Sequence, residues 1–162
     1  MFRKFISHDI SVYGGYILDK QKLLNSSSGG IATALSELIV EQGGYVVGVS
    51  YTKDFHGAEY IIVDDLKELV KLKGSKYIEV NNNNIFTKVK KMINDDKKVL
   101  FFGLPCVVAA LYSFLGERPH NLITCELICN GPTYSKVHSD YIGYLEKKIQ
   151  KNWKKVSKSS KS

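Results

Sequence analysis

Three small-residue loops constrain the fold more than any other feature, because each sits where an apolar run should end and a helical repeat begin. They are Ser26-Ser27-Ser28-Gly29-Gly30, Gly103-Leu104-Pro105-Cys106 and Cys129-Asn130-Gly131-Pro132. Strand–loop–helix alternation of this kind builds an α/β domain, and its loops gather at the carboxyl ends of the strands. A crevice formed there offers unpaired helix N–H groups together with two thiols, which suits a phosphate-bearing redox cofactor.

The rest of the chain agrees with that reading. Asp9 to Leu18 reads as a strand and Asp19 to Leu24 as a polar connection. The triple serine supplies candidate N-cap hydroxyls for a helix whose apolar face is Ile31, Ala34, Leu35, Leu38 and Ile39, ended by Gly43-Gly44. Strands follow at Tyr45–Tyr51 and Glu59–Val63, then a short helix from Asp64 to Leu72, the loop Gly74-Ser75-Lys76-Tyr77, and an extended piece from Ile78 to Val80. Four asparagines, 81–84, mark a turn before a helical face made by Ile85, Phe86, Val89, Met92 and Ile93. Lys98–Phe102 is a strand, Val107, Val108, Leu111, Phe114 and Leu115 line a helix closed by Gly116, and Asn121–Ile128 is a long buried strand. A last helix runs from Ser135 toward Gln150. The expectation is a single α/β domain with a largely parallel or mixed sheet flanked by helices. The runs Val99–Phe102 and Leu122–Ile128 read as buried on both faces.

Charge matters for what it excludes. The formal net charge is +7, yet Lys147–Ser162 holds seven lysines and no acid, so the body, residues 1–146, is neutral. That divides the chain into a domain, 1–146, and a basic Lys/Ser-rich tail, 147–162, read as a solvated terminus. Trp153 is the only aromatic in the tail, so no nucleic-acid partner is expected. No secretory signal is legible, and the longest uncharged run, Val99–Gly116, is broken by Gly103 and Pro105 well short of a ~20-residue span. A cytoplasmic protein without a membrane partner is expected. Three cysteines at 106, 125 and 129 build neither a disulfide scaffold nor a self-contained cluster.

Each loop keeps two readings. Ser26–Gly30 can cradle a phosphate, although it lacks the Lys of a P-loop and the spacing of a dinucleotide fingerprint; it can equally be a plain N-cap. In Gly74–Tyr77, Lys76 can neutralise a phosphate or face solvent, and Tyr77 can stack on a planar ring or pack. Cys106 follows Pro105 at a helix N-terminus, a position that favours thiolate, so it can bind iron, attack an electrophile or contact a flavin; otherwise it is a small hydrophobe. Cys129 has the same placement and Cys125 reads as core. The histidines 8, 56, 120 and 138 have no metal-ligand spacing, while a Cys–His pair brought together in space stays open.

In this order and at these distances the four motifs resemble the coenzyme F420 hydrogenase/dehydrogenase beta subunit family of iron–sulfur flavoproteins, over roughly residues 10–146. The resemblance is to its C-terminal catalytic domain, truncated relative to the family. It implies FAD-dependent electron transfer, with Ser27, Ser28, Gly29, Gly30, Gly74, Ser75, Lys76, Tyr77 and Pro105 at the cofactor. It places Cys106, Cys129 and Asn130 at the redox centre. The family's third loop usually carries histidine where this chain has Asn130, which cannot titrate near neutral pH. Cys106 and Cys129 would ligate a [4Fe-4S] cluster only with ligands from elsewhere, so such a cluster would be shared with another chain. A ferredoxin-like electron donor and self-association into a homo-oligomer are the implied partners. The alternatives are a non-catalytic, partner-binding subunit and a group-transfer enzyme for a nucleotide-linked substrate.

Overall fold

The computed structural model describes residues 13–159, with side chains as far as Gln150. Five strands, β1 (Tyr45–Tyr51), β2 (Ala58–Val63), β3 (Val80–Asn81), β4 (Val99–Gly103) and β5 (Leu122–Glu126), form one sheet in the order β3-β2-β1-β4-β5. The pairs β1/β4, β4/β5 and β2/β3 are parallel, and only β1/β2 is antiparallel. The expected α/β class is therefore observed, with a mixed sheet. The helices are α1 (Lys20–Leu24), α2 (Ile31–Glu41), α3 (Ile85–Asn94), α4 (Pro105–Leu115) and α5 (Ser135–Ser159), with a 3-10 turn at Glu68–Leu72.

Strand alternation sorts the core into two layers. Val47, Tyr60, Val99, Phe101 and Leu122 face α3 and α4, meeting Ile85, Val89, Ile93, Val108 and Leu111. Val46, Val63, Leu100 and Phe102 face Ile39 of α2 and Leu69 of the 3-10 turn. All five residues of β4 are buried, as expected of a central parallel strand covered on both sides. No residue of α5 belongs to either layer among the described residues.

Six expectations change. Residues 13–19 are irregular rather than a strand, and the earlier part of that reading, residues 9–12, lies outside the described residues. The segment 15–17 instead lies against the serine–glycine loop, where Ile17 N–H donates to the Gly29 carbonyl at 2.8 Å. Lys20–Leu24 is a helix because the Asp19 carboxylate accepts from the N–H groups of Gln21 and Lys22, at 2.9 and 3.0 Å.

The serines do not cap α2: its N-cap is Gly30 at φ 79°, with no side-chain bond, and Ser26 Oγ donates back to the Lys22 carbonyl at 2.8 Å. The register of α2 is also turned. Ser36 and Ile39 are buried while Ile31, Leu35 and Leu38 are exposed. Ser36 tolerates burial because its hydroxyl donates to the Ala32 carbonyl at 2.7 Å.

The last strand ends at Glu126 and among the described residues pairs only with β4, so it is an edge of the described sheet and not a buried centre; Ile128 beyond it is fully exposed. Finally, α5 continues through the basic segment to Ser159, where a frayed terminus was expected from Lys147 onward.

Candidate functional site: a tyrosine-lined cleft at the carboxyl edge of the sheet

Parallel pairing puts the ends of β1, β4 and β5 on one edge. Gly103 is paired with Glu126, and Leu127 N–H donates to the Gly103 carbonyl at 2.9 Å, so the loops carrying Cys106 and Cys129 leave the sheet side by side. The antiparallel β2 and its parallel neighbour β3 begin at the same edge, next to Tyr51. Ile78 forms a parallel bridge with Thr133, reinforced by Thr133 N–H to the Tyr77 carbonyl at 2.8 Å and Glu79 N–H to the Thr133 carbonyl at 3.2 Å. These bonds fasten the Gly74–Tyr77 loop to the segment leading into α5.

Between them lies an open cleft of about 290 Å³ lined by Tyr51, Tyr77, Ile78, Thr133, Val137, His138 and Tyr141. Its floor is fixed by His138, which stacks on Tyr51 at 5.7 Å with rings 12° from parallel and bonds the Phe55 carbonyl through Nε2 at 2.8 Å. The same hairpin holds α5 a second time: His56 Nδ1 is 2.9 Å from Ser139 Oγ, and its Nε2 is 3.5 Å from Glu146 Oε1. Aromatic walls with a few polar edges can clasp a planar ring.

The expected site residues divide into those at this cleft and those elsewhere. Tyr77 lines it. Lys76 lies just below, with Nζ 5.9 Å from the Tyr51 ring centroid, but its ammonium is already committed. It donates to the carbonyls of Lys73, Leu72 and Lys71 at 2.7, 3.0 and 3.3 Å, closing the end of the 3-10 turn. Burial pulls its pKa down to about 8. Lys76 is therefore a cap of that turn rather than a free cation. Gly74, at φ 79°, has open space around it and serves the turn. Ser75 is exposed.

In the serine–glycine loop the two glycines are needed for a close approach, but by the protein's own chain. A Cβ on Gly29 would sit 2.7 Å from the Gly15 carbonyl oxygen, and one on Gly30 would sit 2.7 Å from Ile17 Cγ2. Ser27 and Ser28 remain exposed beside the N-terminus of α2.

Pro105 opens α4, and Cys106 follows it, exposed, in the first turn. Beneath it Tyr60 is buried against Phe101, with ring centroids 5.4 Å apart. Burial, with a smaller push from Cys106, raises the Tyr60 phenol to about 12. Cys129 is exposed, and its Sγ accepts from Gly131 N–H at 3.1 Å; Asn130 is exposed beside it. Cys125 packs partly against the α2 side of the sheet, where burial raises its thiol pKa. Among the described residues no three His, Cys, Asp or Glu side chains converge as a metal site. Two exposed thiols and a half-buried third do not fit a four-thiolate cluster within this chain.

Sequence reasoning missed Tyr51, Thr133, His138 and Tyr141. The pair His138 and Tyr141 was readable as one helix face at i, i+3, but Tyr51 joins them only through the fold.

Among the described residues no helix is long and apolar enough to cross a membrane. No curated protein matches the chain. Among solved structures, a chain of the F420-reducing [NiFe] hydrogenase complex from Methanosarcina barkeri, studied by xenon derivatization, matches with a TM-score of 0.59 at 21% identity. The match covers 76% of this chain and 47% of that one, so this chain spans about half the length of its structural neighbour, and the likeness is one of fold. Residues 12–86, just under half the chain, match the family model described as coenzyme F420 hydrogenase/dehydrogenase, beta subunit N-term. That segment contains both the serine–glycine loop and Gly74–Tyr77 but neither Cys106 nor Cys129. The family model that matches is thus the one for the N-terminal region of that beta subunit, where the motifs led to the expectation of its C-terminal catalytic domain.

Proposed function

We propose that this chain is a redox subunit or domain of the F420 hydrogenase beta subunit type, binding FAD in an oxidoreductase assembly. The observation that carries the reading is the family match over residues 12–86, which includes both loops expected at the cofactor. The cleft beside the second loop supplies what a planar ring needs: Tyr51, Tyr77 and Tyr141 as flat apolar walls, with Thr133 and His138 as polar edges. At about 290 Å³ and open to one side, the cleft suits the ring system, while the rest of the cofactor would lie outside it. Ser27 and Ser28 at the α2 N-terminus are the remaining donors for phosphate oxygens. Bound flavin would supply the electron-transfer chemistry, and the protein holds and orients it.

In this reading Cys106 and Cys129 stand at the adjacent loop ends, and Asn130 offers hydrogen bonds without a titrating proton. A [4Fe-4S] cluster would need ligands from a second chain. The electron donor would be a ferredoxin-like protein or domain docking at this edge.

The test is a flavin titration of the full chain purified without oxygen, followed by absorbance and by quenching of flavin fluorescence. Binding at micromolar flavin is expected, weakened at least tenfold by Tyr51→Leu together with Tyr141→Leu. Flavin that neither copurifies nor binds would overturn the proposal and favour a cofactor-free, partner-binding subunit. Thermal stabilisation by a nucleotide sugar and none by flavin would favour group transfer instead.

A further inference from the structure

The helix α5 runs for 25 residues, about 37 Å, and contributes nothing to either core layer among the described residues. It is tied to the body through the β1–β2 hairpin by His56 and His138. From Tyr134, just before its first residue, a line of sequence positions recurs along the helix at alternating steps of three and four: Tyr134, Val137, Tyr141, Tyr144, Lys148, Lys151, Lys155 and Lys158, of which Val137 and Tyr141 also form the open wall of the cleft. Such spacing keeps one face of a helix. The first four are exposed, between 57% and 70%. The last four are lysines in a segment without a single acid from Lys147 onward. The two acids of α5 are engaged elsewhere: Asp140 pairs with Lys136 at 3.0 Å, and Glu146 faces His56 at 3.5 Å. Lys148 Nζ lies 5.9 Å from the Tyr144 ring centroid, where the aromatic half passes into the cationic half.

We propose that this stripe docks the protein on an anionic lipid surface, with α5 lying in the plane of the headgroups. Charge complementarity identifies the partner as polyanionic. The exposed tyrosines and Val137 favour a lipid interface, since the headgroup–acyl boundary accepts amphipathic rings and aliphatic groups together. A polynucleotide would satisfy the lysines but leave Val137 wet. Two copies packed along the stripe would bring four lysines of each chain into their shared seam. No described helix crosses a membrane, so the association is peripheral.

The experiment is flotation of the full chain with phosphatidylcholine vesicles containing phosphatidylserine, against phosphatidylcholine alone. Binding to the anionic vesicles is expected, at least about tenfold weaker on neutral ones and in a Lys148→Glu, Lys151→Glu, Lys155→Glu variant, because each lysine adds to the attraction. Tyr134→Ser with Tyr144→Ser removes apolar anchors outside the cleft and should weaken binding severalfold at fixed salt. Circular dichroism of both variants checks that the fold is kept. Equal binding to neutral vesicles, no binding, or an unaffected lysine variant would overturn the proposal. So would tighter binding to single-stranded RNA than to vesicles at the same salt, or self-association abolished by the lysine variant. Flavin binding is read separately, so either result leaves the redox reading standing or falling by its own test.

Discussion

The ammonium of Lys76 donates to the carbonyl oxygen of Lys73 at 2.7 Å, turning inward onto the end of the 3-10 turn that precedes it in the chain. A residue that reads as a phosphate-binding cation thus spends its donors on backbone acceptors, a common way to satisfy orphan carbonyls. Burial and hydrogen bonding oppose each other here: burial disfavours the charged form, and the carbonyls favour it.

The pH dependence of stability follows from the direction of that shift. With its pKa lowered to about 8 in the folded chain and 10.5 as the ordinary value, Lys76 binds more protons when unfolded across that interval. Stability should therefore rise with pH from about 8 to 10.5, and the contribution should be constant below about 8. Urea midpoints of the wild type and Lys76→Met, measured at several pH values, should show the wild type gaining on the variant through this window. A difference that stays constant would show that the carbonyls cancel burial, and one that shrinks as pH rises that they outweigh it.

Gly30 and Gly43 separate backbone strain from crowding. Both have positive φ, 79° and 74°, but only at Gly30 does an added Cβ collide, with Ile17. Gly43→Ala should cost about 1–2 kcal/mol, the expense of a left-handed residue with a side chain. Gly30→Ala should cost clearly more and loosen the 15–17 segment, seen as faster amide exchange at Ile17. Equal costs would mean that the segment moves aside freely.

Thiol labelling should split the cysteines two to one. Cys106 and Cys129 are exposed, whereas Cys125 is half-buried with its thiol pushed up by burial. An aromatic disulfide reagent at neutral pH should modify two thiols rapidly and the third only slowly or on unfolding, since the thiolate is the reactive form. Three equally fast thiols would contradict the placement of β5.

Phe101 carries the core on the α3/α4 side. It is fully buried, stacks on Tyr60 and touches Phe86 at a centroid distance of 6.4 Å. Phe101→Ala should cost about 3–5 kcal/mol, while Ile128→Ala, at a fully exposed position, should stay within about 0.5 kcal/mol. Denaturant unfolding of the two variants reads the contrast directly.

The α/β class and most element positions were legible in the sequence. The runs Tyr45–Tyr51 and Val99–Phe102 are dense in strand formers, and the faces of α3 and α4 repeat with the helical period, so local chemistry and fold agree. The loops that bear cysteine were legible too, because Pro105 and Gly116 bracket α4 by their fixed and left-handed backbone preferences. Tertiary placement decided the rest. Which face of α2 is inward depends on the sheet it meets, so Leu35 and Leu38 lie exposed while Ser36 is buried. Whether Leu122–Glu126 is central or an edge depends on how many strands flank it. Whether Lys76 or Gly29–Gly30 is free for a ligand depends on contacts with Leu72, Lys73 and Gly15. The cleft itself joins Tyr51, Tyr77, Thr133 and Tyr141 across 90 residues of sequence. Periodicity records only what neighbours along one helix or strand require, whereas a site is made by the partners that the folded sheet brings together.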